Sequence, residues 1–323
     1  MNKKIGYAIV LAIALAAPFV GYPVFLMKLL CFSLFACAFN LLIGFTGLLS
    51  FGHAAFFGGA GYMAGYVLRD LGWPFELGLL AGVAGAALIG LVMGSLAIRR
   101  QGIYFSMITL ALAQLVSYVA LRSPFTGGED GLQGVPRGKL FGAIDLGNDT
   151  TLYFVVLAIC VAGFALIVRT VHSPFGQVLK AIKENEPRAI SLGYDVDRYK
   201  LMAFVLSAAL AGLAGATKTV VLGFETLTDV HWTMSGLVIL MTLVGGMGTL
   251  AGPMLGAVII IMLENKLGDI GTFLARNTGV EWFNTLGEAV SMVTGLIFVA
   301  CVLLFRRGII GEIVARFGQK KLA

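Results

Sequence analysis

The chain alternates between long apolar runs and short polar breaks. A run of about 20 apolar residues is long enough to cross the hydrocarbon core of a bilayer. Read by that length, the pattern predicts spans over residues 5–21, 24–43, 48–68, 77–98, 102–121, 151–169, 201–222, 232–247, 250–264 and 285–305. Residues 232–264 permit one long span or two short ones meeting at Gly245-Gly246-Met247-Gly248. Charge decides for two. Ten spans put both termini inside, together with all of the 23 Lys and Arg residues except Lys28, Arg69, Arg122, Arg137, Lys139, Lys218, Lys266 and Arg276. The inner loops of membrane proteins carry the excess of Lys and Arg. Nine spans would place the basic tail 306–321 outside. The expected fold class is all-α. It is a polytopic membrane protein with about ten helices, forming one transmembrane domain over 1–323, with broken or re-entrant segments near 44–52 and 245–252. The first run follows Lys3 and Lys4 in the manner of a signal peptide. No clear cleavage site precedes Gly21, so it is read as a retained span.

Composition sharpens this picture. Hydrophobic residues make up 59% of the chain and charged ones 12%, where a soluble domain carries about 25% charge. The net charge of +6 lies between apolar runs and not along one polar face, which argues against a nucleic-acid partner. Cys31, Cys37, Cys160 and Cys301 fall inside apolar runs without paired spacing and read as small core residues. Gly138-Lys139 is followed by Leu140 and lacks the glycine spacing of a phosphate loop. His53, His172 and His231 lie far apart. No metal, cofactor or catalytic residues are expected in this chain, and it is not expected to be an enzyme.

Polar groups at membrane depth are costly and mark function or helix-to-helix hydrogen bonds. Asn40, His53, Gln114 and Lys218 are the candidates, with Glu225, Glu264 and Glu288 nearer span ends. Many of the 43 glycines fall inside spans, several three residues apart, as close helix packing requires. Two clusters stand out. Leu42-Ile43-Gly44-Phe45-Thr46-Gly47-Leu48-Leu49 is similar to Leu243-Val244-Gly245-Gly246-Met247-Gly248-Thr249-Leu250. Each interrupts an apolar run. Paired glycine interruptions point to broken helices beside a translocation path; plain turns are the alternative. The candidates for the path are Asn40, Gly44, Thr46, Gly47, Ser50, His53, Gly245, Gly246 and Gly248.

The longest well-patterned polar segment is Ser173 to Tyr199, inside a loop at 170–200. Val178, Leu179 and Ile182 share one helical face. Pro187 suits the first turn of a second helix, Asn185 or Glu186 can cap it, and Gly193 can end it. Ala189, Ile190 and Leu192 then form a second apolar patch. Such an element fits a groove on a partner protein. A surface helix on lipid headgroups is the alternative, which Glu184, Glu186 and Asp195 disfavour on an anionic leaflet.

Residues 173–215 resemble the signature region of branched-chain amino acid ABC-importer permeases of the LivM type. Segments 40–62, 102–114, 126–132 and 243–257 extend the resemblance in family order over nearly the whole chain. The resemblance implies a bacterial inner-membrane permease with both termini cytoplasmic. It would work with a second homologous permease, two ATP-binding subunits that hold ATP and Mg, and a periplasmic substrate-binding protein. It implies that Glu184, Asn185, Glu186, Pro187, Arg188, Ala189 and Gly193 form a coupling helix against an ATPase. Thr126, Gly127, Gly128, Glu129 and Asp130 would face the binding protein. Branched-chain amino acids are the expected substrate. Relatives that move urea, short amides or aromatic acids, and a secondary carrier or channel for a neutral solute, remain as alternatives.

Overall fold

The computed structural model describes residues 12–19, 21–278, 292–293, 295–296, 299 and 308–312. Most of the expected tenth span at 285–305, about half of the first at 5–21, and most of the basic tail 306–321 lie outside the described residues. The helices are α1 (Pro23–Thr46), α2 (His53–Arg69), α3 (Phe75–Ala97), α4 (Ile103–Arg122) and α5 (Asp149–His172). They continue with α6 (Pro174–Glu184), α7 (Glu186–Ser191), α8 (Val196–Leu222), α9 (Leu227–Val230), α10 (Trp232–Gly245) and α11 (Gly252–Thr278). The protein is an all-α, multi-pass membrane protein. Among the described residues α1, α3, α4, α5 and α8 are each long and apolar enough to cross a membrane.

The core is built around α8, which packs on α1, α2 and α3. Small residues make that packing close. A Cβ on Gly215 of α8 would stand 1.9 Å from the Phe57 carbonyl oxygen, and one on Gly82 of α3 would stand 2.8 Å from that of Ala60. Lipid offers no hydrophobic drive between helices, so van der Waals contact between small residues does the holding. The helices α3, α4 and α5 keep much of their apolar surface on the outside, including Leu80, Leu88, Met107 and Leu115.

Several expected boundaries move. The span read from 48 begins at His53, because residues 47–52 are not helical. The span read as 250–264 continues to Thr278. Residues 232–264 are two helices and not one. Gly245 of α10 lies against Gly252 and Gly256 of α11, and Gly256 lies against the Met241 carbonyl, so the pair runs antiparallel. With 14 residues, α10 is about 21 Å long at 1.5 Å per residue, short of the roughly 30 Å hydrocarbon core.

One end of the bundle gathers the loop after α3, the elbow α6–α7 and the turn between α10 and α11. At the opposite end lie two short ribbons. The strands β1 (Leu132–Gln133) and β4 (Phe224–Glu225) pair antiparallel, with Leu132 opposite Glu225. Likewise β2 (Lys139–Leu140) pairs with β3 (Ile144–Asp145). These two-residue strands are confined to the connections outside the spans.

Candidate functional site

The two glycine clusters both break helices, and they meet. Six residues, 47–52, separate α1 from α2, and six, 246–251, separate α10 from α11. Gly47 and Gly248, which occupy matching places in the two clusters, both have φ +78°, a left-handed backbone that favours glycine. Asn40, two turns from the end of α1, joins them. Its Nδ2 donates to the Thr249 carbonyl at 2.8 Å, and its Oδ1 accepts from the Gly248 amide at 2.9 Å. Gly44 leaves the room for this, since a Cβ there would stand 2.9 Å from Gly248 N and closer still to the Asn40 amide. Asn40 therefore spends its amide on the backbone of the second break.

The first break runs inward from the end of α1 as non-helical backbone. Such backbone is tolerated at depth only where protein satisfies its polar groups. Two other helices supply hydroxyls for that purpose. Ser106 of α4 donates to the Leu49 carbonyl at 2.7 Å, and Thr109 accepts from the Phe51 amide at 3.2 Å. Ser235 of α10 donates to the Phe51 carbonyl at 2.7 Å and accepts from the Ala54 amide at 2.8 Å. Ser50 accepts from the Gly52 amide within the break itself. Thr46 donates to the Leu42 carbonyl. His53, fully buried at the start of α2, sits edge-on to Phe39 and Phe56, and its Nε2 lies 2.9 Å from Ser207 Oγ. The Ser207 hydroxyl donates to the Ala38 carbonyl, so the His53 Nε2 is the donor in that pair. Among the path candidates only Gly47 and Gly248 are exposed; Asn40, Gly44, Thr46, Ser50, His53, Gly245 and Gly246 are buried.

The elbow lies against the first break. Ser173 caps α6 by accepting from the Gly176 amide. Asn185 caps α7 by accepting from the Arg188 amide at 3.0 Å, and Pro174 and Pro187 occupy the first turns. Ile182, Ala189 and Val196 form a small buried cluster, with Val178 and Tyr199 against it. The expected apolar patch is split by this cluster. Ala189 is 2% exposed, whereas Ile190 is 58% and Leu192 69% exposed. Ala189 thus holds the elbow together and cannot touch a partner directly; Ile190 and Leu192 can. Glu186 also faces inward, accepting from Lys200 at 2.7 Å and Gln101 at 2.9 Å. Glu184, Asn185, Pro187, Arg188 and Gly193 are exposed, and Gly193 has φ +87°.

The link from elbow to break is Lys183. Its Nζ donates to the Gly44 carbonyl at 2.7 Å, in the last turn of α1, where the helix dipole favours a cation. Its stem passes 3.2 Å from where a Cβ on Gly47 would be, and Lys180 stands over the Phe45 ring. The sequence offered no signal for this pairing beyond a lysine on the polar side of α6.

At the opposite end, Thr126 is buried and donates to the Ala120 and Ser123 carbonyls, which takes it out of the exposed rim. Gly127, Glu129 and Asp130 are exposed and Gly128 is half-buried. Beneath this loop Lys218 is buried, at 2.5 Å from Asp229 Oδ2 and 3.3 Å from Glu225 Oε2. Thr219 donates to Glu225 at 2.5 Å. Burial pushes the Glu225 carboxyl up to about 8, the nearby Lys218 opposing and Asp229 adding to the shift. Lys218 is legible in the sequence as a polar residue in a span and Glu225 as an acid near a span end; Asp229 and the pairing of the three are not, because the acids reach the lysine through the fold of the following connection. Among the described residues no cluster of three or more His, Cys, Asp or Glu could hold a metal ion.

Comparison with known proteins gives a consistent result. The family described as branched-chain amino acid transport system / permease component matches residues 22–304. The high-affinity branched-chain amino acid transport system permease protein LivM of Salmonella typhimurium is 28% identical over 300 residues, covering 84% of this chain and 70% of its own. LivM of Escherichia coli is 27% identical over the same shares. The autoinducer 2 import system permease protein LsrC of Klebsiella pneumoniae is 30% identical over 56% of this chain and 52% of its own.

Proposed function

The chain belongs to the branched-chain amino acid transport permease family, and we propose that it carries leucine, isoleucine and valine inward across a bacterial inner membrane. It is a transport component. We propose that its full machine adds a second homologous permease, two ATPases that bind ATP and Mg, and a periplasmic binding protein.

The orientation rests on charge. The elbow end carries Arg99, Arg100, Arg169, Lys180, Lys183, Arg188, Arg198 and Lys200. In the connections and helix ends opposite it lie Arg69, Arg122, Arg137 and Lys139, with Lys28, Lys218, Lys266 and Arg276 within the helices on that side. Inner loops hold the excess of basic residues, so the elbow faces the cytoplasm and the ATPases. Glu129 and Asp130 then face the binding protein. Both termini are cytoplasmic in this reading.

The observation that carries the mechanism is the Lys183–Gly44 hydrogen bond. An ATPase that closes on ATP moves the elbow through the exposed Ile190 and Leu192. Lys183 passes that movement to the end of α1, and Asn40 passes it on to the second break. Helices on either side of two interrupted segments can tilt without straining a continuous hydrogen-bond ladder. Alternating access follows, and the binding protein sets most of the substrate choice.

The test is ATP-dependent leucine uptake by proteoliposomes holding this chain, its partner permease and both ATPases, with binding protein outside. Uptake should require every component. Uptake by this chain alone would mean a carrier or channel. The similarity to an autoinducer 2 permease favours adding polar solutes to the competition series. If urea, benzoate or a polyol blocks binding-protein-dependent uptake and valine does not, the architecture stands and the substrate changes.

A further inference from the structure

The buried charges at the outer end of α8 are more than a helix-to-loop tie. A tie needs one cation and one anion. Here a single lysine faces two carboxylates, all three nearly fully buried: Lys218 is 3%, Glu225 0% and Asp229 5% exposed. A second buried carboxylate without a matching cation is costly. Moreover, among the described residues Glu225 Oε1 and the Tyr62 hydroxyl are both buried without a hydrogen-bond partner. Most buried polar atoms in a folded protein are paired. Tyr62, from α2, lies within electrostatic reach of both carboxylates. The group thus sets two carboxyls against one lysine and leaves two oxygens that can accept hydrogen bonds, beside a lysine that can bind an anion.

An aromatic ring and a glycine shape the surroundings of these charges. Phe57 lies with its ring 5.6 Å from Lys218 Nζ. Gly61 gives the Glu225 carboxylate its place, since a Cβ there would come within 2.6 Å of it. Glu225 is on β4, which pairs with β1, and β1 directly follows the exposed Glu129 and Asp130. The 128–130 turn is thus joined through Gly131 and β1 to the strand that carries Glu225.

We propose that Lys218, Glu225, Asp229 and Tyr62 form a head-group site for a zwitterionic α-amino acid, on the side from which substrate enters. The proposal rests on the import of an amino acid argued above. Glu225 and Tyr62 accept from the ammonium group, and Lys218 exchanges Asp229 for the carboxylate. With Lys218 held by Asp229 the site is closed on itself. Displacement of β4 opens it.

The experiment is equilibrium binding of radiolabelled leucine to the purified complex of this chain, its partner permease and the ATPases, trapped with ATP and vanadate, without binding protein. Valine should compete with leucine. Isovalerate lacks the ammonium and isoamylamine lacks the carboxylate; each should compete at least about tenfold more weakly, as expected for a lost charged hydrogen bond. Glu225→Gln and Tyr62→Phe should each weaken leucine binding by about tenfold at unchanged ATPase trapping. Should Glu225→Gln fail to assemble, the wild-type competition series decides without it. Equal competition by isovalerate overturns the proposal. So does an absence of leucine binding in a complex that imports leucine once binding protein is added, and that result leaves the proposed function standing. Import of a solute with no ammonium group overturns both.

Discussion

The two glycine breaks share a motif and a length, yet they are held in opposite ways. The break at 47–52 is laced to its surroundings by hydroxyls from Ser106, Thr109 and Ser235 on two other helices. The break at 246–251 is held across the bundle by the Asn40 amide, with Thr249 bonding only within its own turn. Met247 at its tip is 43% exposed. The first break is therefore a fixed scaffold at depth. The second is a turn held by one side-chain clamp, with Gly308 packed against it: a Cβ there would stand 2.4 Å from Gly246 Cα. In the proposed mechanism the elbow's lysine, bonded to the Gly44 carbonyl at the end of α1, passes its movement to the fixed break, and the clamped one answers it.

Five substitutions and one cysteine reporter separate these roles. The largest effect should come from Gly44→Leu. Its side chain would collide with Asn40 and Gly248, and overpacking of this kind costs about 1–3 kcal/mol or more. Both breaks should be forced apart, with leucine uptake falling at least about tenfold while the chain still reaches the membrane. Next comes Ser235→Ala. It leaves the Phe51 carbonyl and the Ala54 amide unpaired, at about 1–3 kcal/mol each, and should lower the melting temperature of the complex. Asn40→Ala should cost less, about 1–2 kcal/mol in total, and act on the other break. A cysteine placed by Met247→Cys should then react faster with a maleimide than in the Asn40 background, whereas Ser235→Ala should leave that rate unchanged. Equal acceleration by both would erase the distinction between scaffold and clamp. The smallest effect on stability belongs to Leu192→Ser on the exposed face of the elbow, within about 0.5 kcal/mol. It should nonetheless reduce the ATPase rate bound to transport, while Ala189→Leu should unfold the elbow itself.

Much of this was legible in the sequence, for identifiable reasons. Spans announce themselves by length, and the two Leu-x-Gly-x-x-Gly-x-Leu segments announce their turns because left-handed backbone selects glycine at Gly47 and Gly248. Asn40 could be marked because a carboxamide in an apolar run must find a partner; which partner could not be, since Thr249 lies 209 residues away. Ser106 and Ser235 gave no warning. Single hydroxyls are common in apolar helices and usually bond their own backbone, as Thr217 does here. The start of α2 was misplaced because Leu48 and Leu49 extend the apolar run while the backbone there is not helical. On the elbow, a six-residue helix is too short for periodicity to tell the inner face from the outer. Ala189 was grouped with Ile190 and Leu192 for that reason. The Lys218 cluster was half visible: the lysine lies in a span, and its acids only come to it through the fold of the following connection.

The account turns on whether movement of the elbow reaches the breaks through Lys183. The direct measurement is leucine imported per ATP hydrolysed, in proteoliposomes holding the complete transporter with Lys183→Met in place of the wild-type chain. The methionine keeps the stem against Gly47 and removes only the charged donor to Gly44. The account predicts ATP hydrolysis close to wild type and a fall of about tenfold in leucine moved per ATP, the size of one charged hydrogen bond. An unchanged ratio, in a complex that melts at the wild-type temperature, would contradict it and leave the elbow acting on the helices by some other contact.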